Sequence, residues 1–264
     1  MSGLLLRLAG PQSSWGESAA FHDRLTTPFP TRSALIGLFA AAEGRPRHTA
    51  LHPHRDLPGA PCYTDLVLTI RIDRPGTPHT DFHTTGGGRP PGRGLRTSDG
   101  RHRPPAKSTL VTHRRYLAGA VFTVAVQGPP VLLQRIADTL EQPRWAPFLG
   151  RRSCVPDEPL VLRASVPDPV GELTGHVPLT LDRPPPPGQD TVAVGFLWEH
   201  PPPHTPAATE HHLADTPADF TPATRRYRMR PVWHTTEHLP AALYAGPRPL
   251  DRLTDYVLNQ EHPA

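Results

Sequence analysis

The sequence holds only two cysteines, Cys62 and Cys154, far apart and without a CxxC pair. That spacing speaks against a zinc site and against a disulfide framework, and it fits a reduced, intracellular chain. Long apolar runs are missing too. Leu4-Leu5-Leu6 is interrupted at once by Arg7, too soon for a signal peptide or a membrane span. No other segment reaches spanning length, so the reading is a soluble cytoplasmic protein with no membrane partner. There is no Walker loop and no HExxH motif, and Gly86-Gly87-Gly88 is not a dinucleotide fingerprint. His48, His52 and His54, and the pair His211-His212, have no cysteine or carboxylate framework beside them, so neither a metal nor a cofactor is expected. The apolar share is low for a globular chain, at 36%.

What is abundant is proline, 37 residues, with 21 glycines, which implies many turns and irregular connections. Pro, Arg, Ala and Gly rise together in GC-rich genomes, so the prolines are given little functional weight. At 264 residues the chain can form one large domain or two small ones, each with a real core. The formal charge of +4 attracts a polyanion at neutral pH, and sixteen histidines add charge below it. The excess is modest, so its distribution matters more than its size.

Leu4 to Leu8 reads as a first strand, stopped by Gly10 and Pro11. A helix is expected over Ser33 to Ala42, with Thr31 or Ser33 as its cap, Leu35, Leu38 and Phe39 on one face, and Gly44 at its end. Cys62 to Ile72 alternates apolar and polar residues, the signature of a half-buried strand, and Tyr116 to Val126 is the next strand. Between them lies a long insertion, roughly 75–115, rich in Gly, Arg, Pro and Thr. Val131 to Gln142 places Leu132, Leu133, Ile136 and Leu140 on one helical face. With Leu160 to Ala164 as a fourth strand, the order is β-α-β-β-α-β. The expected fold class is therefore α+β, a ferredoxin-like (RRM-like) domain over 1–165. Residues 166–264 read as a smaller, irregular, proline-rich region that contains β structure. There, Pro184 to Pro187 and Pro201 to Pro203 flank a strand at Thr191 to Trp198.

Three constellations can meet an anion. The insertion carries Arg89, Arg93, Arg96, Arg101, Arg103 and Lys107 against the single acid Asp99. This composition suits a phosphate backbone and equally a solvated hairpin without a partner. Phe148-Leu149-Gly150-Arg151-Arg152-Ser153-Cys154 follows the second helix. Its glycine allows close backbone approach, its arginines offer planar forks, and Ser153 can add a hydrogen bond; taken alone it also reads as an ordinary turn. Phe29-Pro30-Thr31-Arg32-Ser33 opens the first helix, where free N–H groups and the dipole favour an anion, or where Arg32 is merely solvated. Asp81-Phe82-His83, with Tyr116 or Lys107, holds residue types used by metal-independent ribonucleases. Cys154, entering a strand, reads as a small buried hydrophobe and not a nucleophile.

Five blocks, taken in order, resemble a known family. They are Leu6-Arg-Leu-Ala-Gly-Pro11 with Trp15-Gly16; Phe29-Pro-Thr-Arg-Ser33 with Ile36-Gly37-Leu38; Asp81-Phe82-His83-Thr84; Arg115-Tyr116-Leu117 with Phe122-Thr123-Val124-Ala125; and Phe148 to Cys154. Their order and spacing across Leu4 to Leu160 resemble the CasD family of type I-E CRISPR Cascade subunits, in the repeat-associated RAMP superfamily. The resemblance implies a long β-hairpin, the thumb, in the place of the basic insertion. It implies a non-catalytic, RNA-binding subunit of an antiviral ribonucleoprotein, which caps one end of the complex and holds the 5′ handle of the guide CRISPR RNA. Its neighbours would be CasC backbone subunits and the large subunit CasA, with target DNA met only through the complex. Carried over by motif, the implied RNA contacts are Arg32, Gly150, Arg151, Arg152 and Ser153, then His83 and Tyr116 at the base of the thumb, and Trp15 packing or stacking near the handle. Arg93, Arg96, Arg101 and Lys107 fall where the thumb varies, so only their charge carries over. Ser13 stands where the family usually has Gln, and Arg225-Arg226-Tyr227 matches a family Ser-Arg segment only loosely. The alternative function is a metal-independent endoribonuclease that processes precursor CRISPR RNA, with His83, Lys107 and Tyr116 as its candidates.

Overall fold

The computed structural model describes residues 2–17, 22–86, 88, 90, 92–97, 99–104, 107–202, 208–221 and 224–259. Gly87, Arg89 and Pro203 of the motifs above lie outside them. In chain order the elements are β1 (Gly3–Ala9), β2 (Gln12–Ser13), β3 (Asp23–Arg24), α1 (Arg32–Glu43), β4 (Val67–Arg74), β5 (Thr77–Thr85) and β6 (Leu110–Ala118). There follow β7 (Val121–Gln127), α2 (Pro130–Glu141), β8 (Val161–Val166), α3 (Pro169–Gly175), β9 (Thr191–Trp198), β10 (Thr209–Asp219), β11 (Arg226–Pro240) and α4 (Pro249–Leu258). The fold is mixed α+β. A seven-stranded antiparallel sheet runs β10-β11-β9-β4-β7-β1-β8, and a second, four-stranded sheet joins β2, β3 and β5 to β6.

β1 is buried at every position, because it lies inside the large sheet between β7 and β8 and both of its faces are covered. Leu4, Leu6 and Leu8 join a core with α1 and α2 residues such as Leu35, Phe39, Leu133 and Ile136. Leu5 belongs instead to a second buried cluster, with Leu162, Leu173, Val177, Phe196 and Leu253. α2 buries the apolar stripe expected of it, and Pro129 and Pro130 start it because proline's fixed φ suits a first turn. Gly44 ends α1 with φ 79°, a left-handed conformation that glycine adopts without a Cβ penalty. Thr31 stands at the N-cap of α1 as expected, but its side chain makes no capping hydrogen bond. The Arg32 N–H instead donates to Asp215 Oδ2 of β10 at 2.8 Å, so a carboxylate remote in sequence fills the anion-favouring end.

Two strand expectations change. The strand expected over Cys62 to Ile72 begins only at Val67, because Asp65 Oδ2 accepts from the Cys62 N–H and closes a single 3-10 turn at Tyr63–Asp65. It is also buried on both faces. Its polar residues Arg71 and Asp73 pair with each other at 2.6 Å beneath α3 and the turn after it. Tyr116 to Val126 is two strands and not one. Gly119, with φ 64°, turns the chain out of the thumb strand β6 into the sheet strand β7. The proline-rich second half contains the two longest strands, β10 and β11, and β9 attaches it to β4 within the same sheet.

Candidate nucleic-acid interface

The thumb is the β5–β6 hairpin, in register from Thr77 opposite Ala118 to Thr85 opposite Leu110. Directly opposed residues share a face. One face therefore carries His79, Asp81 and His83 with Tyr116, Arg114 and Thr112, and the other carries Thr80 and Phe82 with Arg115 and His113. Contacts agree with this register. The His79 and Tyr116 rings lie 6.4 Å apart, Phe82 meets His113 at 5.6 Å, and Arg115 Nη1 donates to Thr80 Oγ1 at 2.9 Å. At the base, β2 pairs antiparallel with Leu117 and Ala118, and β3 pairs parallel with His113 and Arg114.

The 148–154 loop packs onto this base. Ser14 N–H donates to the Leu149 carbonyl at 3.1 Å, and the Leu149 N–H donates to the Cys154 carbonyl at 2.8 Å. Gly150 has φ 85°, and a Cβ there would stand 1.8 Å from the Ser14 carbonyl oxygen. Only glycine permits both the backbone conformation and the approach. The Arg151 guanidinium sits 4.7 Å over the Tyr116 ring, a cation–π contact, and its Nη2 donates to the Arg24 carbonyl at 2.9 Å. Arg151 Nη1 is buried and has no hydrogen-bond partner among the described residues. Arg152 and Ser153, next to it in the chain, are exposed, as is Arg24, while Arg114 on the Tyr116 face is half-buried and Arg115 is exposed on the opposite face of the hairpin. The result is a set of guanidinium forks around one glycine turn, an arrangement suited to phosphate oxygens and indifferent to base identity. Burial pushes the Cys154 thiol up, away from the thiolate form.

Gly150→Ala follows directly from this geometry. Strain at a left-handed position and displacement of the Ser14 backbone are expected to lower stability by roughly 1–3 kcal/mol. A urea titration would show it as a lower midpoint, and an unchanged midpoint would contradict the close approach.

Two candidate contacts need correction. Arg32 is 7% exposed. Its Nη1 meets Glu199 Oε2 at 2.5 Å, and its Nη2 donates to the carbonyls of Thr64 and Leu66 at 2.9 and 2.8 Å. A guanidinium so engaged has no fork left for phosphate. It ties α1 to the C-terminal strands, with Arg230 bridging Glu199 and Asp215. Trp15 is wholly buried, edge-on to Phe122 at 6.1 Å and beneath Gly150. It supports the loop from below and cannot stack on a base. His83 is half-buried on β5, its Nδ1 3.3 Å from Thr85 Oγ1. Arg93, Arg96, Arg101 and Lys107 are exposed towards the thumb tip, and Arg101 pairs with Asp99 at 2.9 Å. His54, read above without ligand partners, is buried and bonded to Glu43 at 2.9 Å. Sequence reasoning missed Arg24 and undervalued Arg114 and Arg115. Nothing around Arg24 marks it, since its place is set by pairing with β6, whereas the adjacent arginines before Tyr116 were visible as charge.

The family model of the CRISPR-associated Cas5 proteins, in its Cas5d form, matches residues 3–233. The CRISPR system Cascade subunit CasD of Escherichia coli (strain K12) is 34% identical over 186 residues, covering 67% of this chain and 78% of the relative. A solved chain of a CRISPR RNA-guided surveillance complex is 44% identical with a TM-score of 0.84, over 97% of this chain and 99% of that one. A crystal structure of a Cas protein is 27% identical with a TM-score of 0.58, over 92% and 97%. On the family match over residues 3–233 and the 34% identity to CasD, the chain belongs to the Cas5 family of CRISPR-associated proteins.

Proposed function

We propose that this chain is the non-catalytic RNA-binding subunit of a type I-E Cascade, holding the 5′ handle of the guide RNA and capping one end of the assembly. Its direct neighbours are CasC backbone subunits and the large subunit CasA, and target DNA is reached only through the complex. The observation that carries the reading is the turn at Gly150, which sets Arg151 on Tyr116 and against the Arg24 carbonyl and leaves Arg152 and Ser153 open. We read the order β8-β1-β7-β4, with α1 and α2 on one face, as a ferredoxin-like unit over 1–165. Residues 166–264 extend its sheet by three strands.

The thumb register favours holding over cutting. Tyr116 stands opposite His79 and His83 opposite Thr112, so Tyr116 and His83 are four residue steps apart, about 13 Å at strand rise. General acid and base must both come within hydrogen-bond reach of one reacting phosphate, and Tyr116 is 5% exposed beneath Arg151. Incubated with repeat RNA in EDTA, the purified chain is expected to leave the RNA intact while binding it. A discrete cleavage product lost in His83→Ala would overturn the reading. Tyr116→Phe keeps the ring under Arg151 and is expected to bind handle RNA as the parent does. Tyr116→Ala releases Arg151 and is expected to bind roughly tenfold more weakly, for a cation–π and packing loss of about 1–2 kcal/mol. Filter binding of the pair separates ring from hydroxyl.

A further inference from the structure

The turn-side end of the β10–β11 hairpin gathers charge that the handle reading does not use. Arg225, Arg226 and Arg228 are exposed, and Tyr227 and Met229 beside them are 38% and 60% exposed. Register places Arg226 opposite Asp219 and Arg228 opposite Thr216, with Tyr227 between them on the other face against Pro217. The two arginines are thus one pleat apart, about 7 Å, comparable with successive phosphates on an extended strand. Arg47, in the short turn after α1, comes to the same end from a different part of the chain. Its own burial and then the neighbouring Arg225 push its pKa down. The carboxylate opposite these arginines is Asp219, held down to about 2 chiefly by hydrogen bonds from Thr224 and Thr221 and only lastly by Arg226. Among the described residues no ion pair joins Arg47, Arg225, Arg226 or Arg228 to a carboxylate. Asp219 offsets only part of the charge of Arg226, and the remaining crowded positive charge is relieved by an external polyanion. In the large sheet, β9, β4, β7 and β1 separate β11 from β8, the strand that follows the 148–154 loop.

We propose that Arg47, Arg225, Arg226 and Arg228 form a second phosphate-binding strip, which takes the backbone of a single-stranded nucleic acid along the edge of β11 beyond its pairing with β9, where Tyr227 and Met229 on the opposite face meet its bases. Stacking on an exposed ring beside a basic track is tolerant of sequence, and a duplex offers no free base faces to Tyr227. The strip does not depend on the handle site.

The test is a titration of the full chain, at several salt concentrations, with three labelled probes: a single-stranded DNA of arbitrary sequence, a handle RNA and a duplex DNA. R225A/R226A/R228A is expected to bind the single-stranded DNA at least tenfold more weakly at low salt. The log–log salt slope should fall by about 2, since each lost phosphate contact on a single strand contributes about 0.7. R225K/R226K/R228K should keep the parent slope, which separates charge from folding. An alanine variant with unchanged affinity and slope, or a lysine variant as weak as the alanine one, would overturn the strip. A loss confined to the duplex would overturn the single-strand assignment. The handle reading fails separately, through Arg151→Ala with Arg152→Ala binding handle RNA unchanged.

Discussion

Replacing Arg151 and Arg152 together by alanine is expected to weaken binding of a 5′-handle RNA by on the order of a hundredfold. Each guanidinium offers charge-assisted hydrogen bonds to phosphate that contribute about 1.5–3 kcal/mol when made, and every 1.4 kcal/mol is a tenfold change. Arg151 is already held over the Tyr116 ring and anchored by the Arg24 carbonyl, so little side-chain freedom remains to be lost on binding. Arg152 is exposed and gives up more of that freedom, so Arg151→Ala alone should cost more than Arg152→Ala alone. The loss should shrink as salt rises, with the slope reduced by about 1.4 for two single-strand phosphates. Binding measured by fluorescence anisotropy at several salt concentrations checks both claims. Unchanged affinity in the double variant would remove the loop from the interface. Ser153→Ala should have a smaller effect, because its hydroxyl supplies a neutral hydrogen bond.

The second large effect concerns stability. Asp73→Ala is expected to destabilise the fold by about 3–5 kcal/mol, because it leaves the Arg71 charge buried without its counterion. Arg71 is fully buried. Its Nε and Nη2 donate to the two Asp73 carboxylate oxygens at 2.6 and 3.0 Å, and its other hydrogens go to the carbonyls of Leu173, Val177 and Pro178. The pair therefore joins β4 to the segment that begins the C-terminal half. At this chain length the loss corresponds to a fall in Tm of roughly 10 °C, readable by calorimetry. Asp99→Ala, which removes the exposed partner of Arg101 at the thumb tip, should leave Tm where it is. If the two variants melted alike, the buried pair would not be the tie described. Changing both Arg71 and Asp73 to apolar residues would not restore stability, since three buried carbonyls would lose their donor.

Much of the first half was legible in the sequence because local chemistry decides it. Leu4 to Leu8, the apolar stripe of α2 and the stop at Gly44 need no distant partner to be recognised. The glycine of the 148–154 loop was likewise readable as a site of close backbone approach. In the second half the strand at Thr191 to Trp198 was legible and is β9, but the two strands that pair beyond it were not. β10 and β11 are the longest strands, yet Thr209 to Asp219 and Arg226 to Pro240 carry histidines, arginines and prolines in place of a clean apolar alternation. Their pairing is set by each other and by β9.

For the interface, the sequence by itself determined which residues carry the chemistry: a glycine that can turn left-handed, two adjacent arginines and a basic insertion at the right point in the chain. Only the tertiary structure decided which arginines are free to use it. Arg32 and Arg151 look alike in a sequence, each beside a serine-containing turn. A guanidinium is available for phosphate only if the fold brings no carboxylate to it. Glu199 and Asp215, more than 160 residues away in the chain, arrive at Arg32 and its helix end. Arg151 receives instead an aromatic ring and a single carbonyl, and so its charge remains unneutralised. Long-range pairing of that kind depends on the strand order of the whole sheet, which no local pattern encodes.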